Sequence, residues 1–262
     1  MATARRTAPS LPPPGLALLA LEFRAPWEFG ALLPAWPALQ RAPQGDGHKV
    51  LVFPGLSASD ASTVPLRRYL GSRGHDAQGW SQGFNFGPRA GVLQQARRGL
   101  EEACAKSGRK VSLIGWSLGG VYARELAKEL PGHVRCVITL GSPFAGHAKS
   151  TNAWRIYELT SGREIEREHE QYDLPAAPPV PTTSIYSRSD GIVAWRASLQ
   201  KPDHGQTENI EVVASHIGIG LNPSAWWAVA DRLAQPEGQW RPFDRYGLLG
   251  LKSLVYPDPH RA

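Results

Sequence analysis

The sequence predicts an α/β fold, a mostly parallel central sheet with helices on both faces. Three observations carry this. From residue 49 onward, short apolar runs alternate with amphipathic helical stretches. The length of 262 residues, with 42% hydrophobic and 20% charged side chains, suits one such domain with a sizeable core. A Gly-x-Ser-x-Gly turn, Gly115-Trp116-Ser117-Leu118-Gly119, lies between an apolar run and a helical stretch.

Residues 1 to 14 are rich in proline and small residues and read as disordered. Gly15 to Phe23 and Trp27 to Leu39 are two apolar segments broken by prolines. With the preceding residues they form an N-terminal arm, 1–40, read as packed on the domain. An interfacial or lid-like helix is disfavoured, because its polar face would carry the lysine and arginine that these segments lack. Arg5 and Arg6 before Leu16–Leu21 mimic a secretion signal. However, Pro12, Pro13 and Pro14 intervene, Glu22 and Arg24 cut the run short, and no clear cleavage site follows. A cytoplasmic location is therefore expected over secretion.

The domain proper spans 41–262. Its expected elements are a strand at Lys49–Phe53, a helix at Val64–Ser72 and a strand at His75–Ser81. A glycine-rich loop (82–88) and a helix at Gly91–Ser107 follow. Next come a strand at Lys110–Gly115, a helix at Ser117–Leu130 and a strand at Val134–Leu140. An excursion over about 144–181, with the charged run Arg163 to Glu168 and then four prolines, interrupts the alternation. Strands at Thr182–Tyr186 and Ile210–Ala214 and a helix at Ser224–Leu233 complete the pattern, and an irregular tail starts near 236.

Composition excludes several functions. Cys104 and Cys136 make no disulfide framework and lie in apolar stretches. No spacing resembles a metal site, and no cofactor is expected. The net charge of +6 comes from scattered residues without aromatic interleaving, which argues against nucleic-acid binding. The positive balance leaves room for weak association with a membrane surface. No stretch is long enough to span a bilayer.

The turn at Ser117 is where chemistry is expected. Its glycines let strand and helix meet closely. The serine then sits at a helix N-terminus, which favours developing negative charge. A serine hydroxyl needs a base, and the base needs an orienting acid. Such groups collect at the carboxyl ends of parallel strands. Asp190 lies in a turn after the strand Thr182–Tyr186, and His216 follows the run Ile210–Ala214. The weaker rivals are Asp60, Asp203 and His204, with His147 a spare histidine lining the site. Two backbone donors are expected for an oxyanion. One is Leu118 N–H at the helix start. The other is Leu56 N–H in the loop Pro54-Gly55-Leu56-Ser57. Trp116, Phe84, Phe86 and Phe144 flank these loops and are candidate walls of an acyl pocket.

On these residues the chain resembles the α/β-hydrolase superfamily, and within it bacterial lipases and esterases. Gly115–Gly120 resembles the nucleophile elbow. Leu140-Gly141-Ser142-Pro143-Phe144-Ala145-Gly146 resembles the Gly-Ser-Pro turn of bacterial and glycolipid-directed lipases. Asp190-Gly191-Ile192-Val193 and Ser215-His216 match the acid and base positions. The resemblance covers roughly residues 49 to 234. It departs at Pro54, where many relatives have histidine, and in the short excursion, where others have a large helical lid. It implies a serine carboxylesterase or lipase with Ser117, Asp190 and His216 as triad and an acyl-enzyme intermediate. The implied partner is a small-molecule ester with an apolar acyl group. An acyltransferase or thioesterase with the same triad is the alternative, and a non-catalytic binding protein of the same fold is a third.

Overall fold

The structure, a computed structural model, describes residues 11–146, 149–161, 173–247 and 250–259. The arm is helical, in three short pieces: α1 (Leu16–Ala20), α2 (Ala25–Gly30) and α3 (Leu32–Leu39). A 3-10 turn, Leu21–Arg24, joins the first two. Pro26 enters α2 in its first turn, where its missing N–H costs no helix bond, and Pro37 is accommodated within α3. The arm packs on the domain, with Leu39 buried and its carbonyl accepting from the Tyr69 hydroxyl at 3.3 Å.

The sheet consists of β1 (Lys49–Phe53), β2 (Asp76–Gly79), β3 (Val111–Trp116), β4 (Val134–Leu140), β5 (Thr182–Tyr186) and β6 (Thr207–Glu211). Among the described residues the order is β2-β1-β3-β4-β5-β6, with every pair parallel. The order reverses between β1 and β3. In an open parallel sheet that is where a crevice opens beyond the carboxyl strand ends.

Helices cover both faces, as expected. α4 (Asp60–Ser72) and α8 (Pro223–Leu233) pack on one side, α5 (Val92–Ser107) and α6 (Leu118–Glu129) on the other. The strands divide their side chains between two cores. Val50, Val52 and Ile114 face Leu70 and the stacked pair Tyr69–Trp226, whose centroids lie 4.9 Å apart. Leu51, Phe53 and Leu113 face Leu100 and Leu126. Each buried leucine contributes about 2 kcal/mol by removal from water. Caps mark the helix starts. Ser59 accepts from Ala61 N at the start of α4. Asn222 accepts from Ser224 N and Ala225 N ahead of Pro223.

Most expected elements are present, with β4 and β5 at the expected bounds. α4 starts earlier than expected because Ser59 caps it, and β2 is shorter. The last strand is a correction: β6 is Thr207–Glu211, not Ile210–Ala214. The ladder lasts one further bond, Val212 N to Tyr186 O at 2.9 Å. The Ser187 hydroxyl then replaces backbone pairing, donating to Ala214 O at 2.7 Å and accepting from Ala214 N at 3.1 Å. Within the excursion, α7 (Trp154–Ser161) is described, and Thr151 forms an antiparallel bridge with Val193. The run Arg163 to Glu168 and His147 lie outside the described residues. Among the described residues, no helix is long and apolar enough to cross a membrane.

Candidate active site

Ser117 stands between β3 and α6 with φ 52° and ψ −121°. A serine rarely adopts this left-handed region, and holding it there costs about 1–3 kcal/mol. The surroundings over-determine it. Ser117 N donates to Leu140 O at 2.8 Å, fastening the turn to β4. A Cβ on Gly115 would run into Gly120, and one on Gly119 into the Phe53 carbonyl. Both glycines are therefore required by the close approach of strand to helix.

His216 lies in an irregular segment after β6, and Asp190 in the turn after β5. With the proton on Nδ1, the His216 ring donates to Asp190 Oδ2 at 2.7 Å. Its Nε2 accepts from the Ser117 hydroxyl at 3.0 Å. Asp190 is itself fixed, because its other oxygen accepts from Ile192 N at 2.8 Å and Val193 N at 2.7 Å. The Trp116 indole donates to His216 O at 3.1 Å. Burial pulls the His216 imidazole toward its neutral form. The charge and hydrogen bond of Asp190, aided by the charge of Glu22, outweigh this and hold its pKa above the ordinary 6.5. Such a line of groups can take a proton from the serine hydroxyl and return it.

The rivals are engaged elsewhere. Asp60 accepts from Trp80 N and Ser81 N, both at 2.9 Å. Asp203 accepts from Ala177 N at 3.1 Å, and the His204 ring bonds Pro178 O at 2.8 Å.

Of the two expected oxyanion donors, Leu118 directly follows Ser117 and Leu56 follows Gly55, whose backbone approaches Ser117. Leu118 opens α6, where first-turn N–H groups have no intrahelical acceptor. Leu56 lies in the loop after β1, and an ideal Cβ on its neighbour Gly55 would stand 3.3 Å from Ser117 Cβ. Asn85, fully buried, shapes this loop and was missed by sequence reading. Its side chain donates to Pro54 O at 2.8 Å, and its backbone accepts from Ser57 N at 2.7 Å and donates to Ala58 O at 2.8 Å. Tyr122 and Gly87 N donate to its side-chain oxygen, each at 3.2 Å. An asparagine closing a glycine-rich loop is common turn chemistry, so sequence offered no signal beyond that.

Of the four expected pocket aromatics, Phe84 is exposed and stacks on half-buried Phe86 at 5.7 Å. Trp116 is half-buried and braces His216. Phe144 is a correction. It is fully buried, beneath the Arg124 guanidinium 3.7 Å above its ring, so it belongs to the interior rather than to an open pocket wall. Arg124, equally buried, is anchored by donation to Ala176 O at 2.9 Å. Sequence reading also missed Glu22 and Glu28 of the arm, which bond the loops carrying Asp190 and His216. Their only signal was acidic residues set in an apolar segment.

The chain matches no protein-family model and no curated protein sequence. Solved structures do match. Lipase B of Aspergillus fumigatus aligns with a TM-score of 0.57 at 18% identity over 75% of this chain, which spans only 54% of that longer protein. The mature lipase BlEst2 of Bacillus licheniformis aligns with a TM-score of 0.53 at 16% identity, covering 75% of this chain and 95% of its own. The monoacylglycerol lipase of Paleococcus ferrophilus gives 0.51 at 14% identity, covering 72% and 96%. With the strand order, the switch between β1 and β3 and the strained turn after β3, these likenesses identify the architecture: the chain has the α/β-hydrolase fold.

Proposed function

We propose that the protein is a serine hydrolase of carboxylic esters, an esterase or lipase. One observation carries this reading: the unbroken line from Ser117 Oγ through His216 to Asp190, at 3.0 and 2.7 Å. Ser117 attacks the ester carbonyl as His216 Nε2 takes its proton. Asp190 keeps the other ring proton on Nδ1 and stabilises the imidazolium. The N–H groups of Leu118 and Leu56 receive the oxyanion. His216 then protonates the leaving alcohol, and water releases the acyl group by the reverse steps. The names of the structural neighbours, lipases among them, agree with this chemistry. Exposed Phe84, and Ile217 beside the base, favour a small-molecule ester with an apolar acyl group. The proposed compartment is the cytoplasm, supported by two cysteines that form no disulfide.

The test is hydrolysis of p-nitrophenyl esters from short to long acyl chains, with and without an added alcohol acceptor, for wild type and Ser117→Ala. The variant should fold and lose about a thousandfold or more in rate. A folded variant with near-native rate removes Ser117 as nucleophile. Ester product formed from the added alcohol in excess of free acid moves the reading to acyl transfer.

A further inference from the structure

We propose that the N-terminal arm is a working part of this active site, with Glu22 as the positioning residue that holds the loops of acid and base together. This rests on the hydrolase reading above. Glu22 lies in the 3-10 turn between α1 and α2 and is buried. One of its oxygens accepts from both Gly191 N and His216 N, each at 2.8 Å. The other accepts from Ile217 N at 2.9 Å. A single carboxylate thus joins the residue after the acid to the backbone of the base, across two loops.

A second clamp repeats the pattern one residue outward. Glu28 accepts from Ser215 N at 2.8 Å and from the Ser215 hydroxyl at 2.8 Å. Arg24 donates to Glu28 at 2.7 Å and to the Ser189 hydroxyl at 2.7 Å. The arm therefore grips 189–191 and 215–217 together. Both loops are shaped to receive it. A Cβ on Gly191 would collide with the Leu18 carbonyl, and one on Gly218 with the Glu28 carboxylate. Asn152 ties the arm's start to the same place, donating to Pro14 O at 3.0 Å and Gly191 O at 2.8 Å.

The physical case is one of satisfaction and charge. A buried carboxylate is tolerable because several backbone N–H groups donate to it, and charge-assisted bonds of this kind are strong. Removing it strands donors on the segment that carries the base. Its charge also acts on the ring. Among the described residues, the charged groups acting on His216 are Asp190 from the turn after β5 and Glu22 from the arm. Beyond Ser215 stands Glu28, already paired with Arg24. Trp116, from β3, faces the His216 carbonyl as a neutral donor. Glu22 thus favours the imidazolium that forms during catalysis.

The test uses the full chain with Glu22→Gln, Glu22→Asp and Glu22→Ala. Each is measured for melting temperature, sites titrated by a fluorophosphonate, kcat and KM on a p-nitrophenyl ester, the acid limb of kcat/KM, and the His216 imidazole titration by NMR. Glu22→Gln keeps the shape and one acceptor but loses the charge. Its kcat per titrated site should fall about tenfold to a hundredfold with KM little changed. Its acid limb and imidazole titration should move down together, because a negative charge that favours the imidazolium is gone. Glu22→Asp should retain the limb while losing part of kcat. Folded Glu22→Gln with wild-type kcat per site and an unmoved limb overturns the proposal. So does a lowered melting temperature as the only change, which reduces Glu22 to a structural residue. Should Glu22→Ala fail to fold, the other two variants decide. The two readings fail separately. If Ser117→Ala stays active, the hydrolase assignment falls. If Ser117→Ala is dead while Glu22→Gln behaves as wild type, only the role of the arm falls.

Discussion

Replacing Asp190 by asparagine changes one atom, and the surrounding bonds dictate how that atom is used. Asp190 Oδ1 accepts two backbone N–H groups, from Ile192 and Val193. In Asp190→Asn only the amide oxygen can fill that place, so the amide NH2 must face His216 Nδ1, where Oδ2 now stands at 2.7 Å. Two donors cannot face each other. The ring must give up its Nδ1 proton and carry it on Nε2 instead, so Nε2 donates toward Ser117 rather than accepting from it. The fold is kept and the base is in the wrong tautomer. Loss of a correctly tautomerised base in a serine triad lowers kcat by about four orders of magnitude, equivalent to about 5 kcal/mol of barrier. The ring's pKa should also drop below its ordinary value, because burial then acts with only the charge of Glu22 against it. The assay is kcat/KM on a p-nitrophenyl ester across pH, with circular dichroism to verify folding and Asp203→Asn as control. Asp203 bonds the Ala177 backbone, away from the His216 ring, and should be nearly silent. A folded Asp190→Asn within tenfold of wild type, or a large loss in Asp203→Asn alone, refutes the assignment of the acid.

Asn85→Ala should loosen the loop that presents Leu56. It removes the donor to Pro54 O and the acceptor of Gly87 N, costing about 2–6 kcal/mol of stability for two buried groups left unpaired. Its kcat per folded molecule should fall about a hundredfold if Leu56 N–H serves the oxyanion; unchanged kcat removes that donor. Acid stability should depend on His75, whose two ring nitrogens have no partner among the described residues. Burial, with the neighbouring His48 5.0 Å away, lowers its pKa from 6.5 to about 4. The unfolded chain therefore binds this proton first as pH falls. The stability is full above about pH 6.5 and is lost toward pH 4, by about 3 kcal/mol. Urea unfolding at both pH values should show a smaller loss for His75→Leu, and an equal loss contradicts the reading.

Short-range chemistry is legible in the chain without its fold. The apolar runs of β3 and β4, the glycines of the turn at Ser117 and the Asp-Gly turn after β5 each carry their meaning within a few residues. They suffice for the α/β alternation and for singling out Ser117, Asp190 and His216, which the fold brings within hydrogen-bond reach of one another. The last strand was misread because its run of apolar residues continues past Glu211. Pairing stops where the neighbouring strand turns away at Ser187, and no local pattern reports a neighbour's bend. Phe144 was misread for a similar reason. Its place beside the glycine turn was legible, but burial under Arg124 depends on a side chain twenty positions earlier. The arm shows the limit most clearly. In the sequence Glu22 only interrupts an apolar stretch, as a surface residue would. In the fold, Gly191, His216 and Ile217, 169 to 195 residues further along the chain, turn their N–H groups toward it. Tertiary structure alone decides this, because a buried carboxylate is satisfied by whichever donors the fold assembles around it.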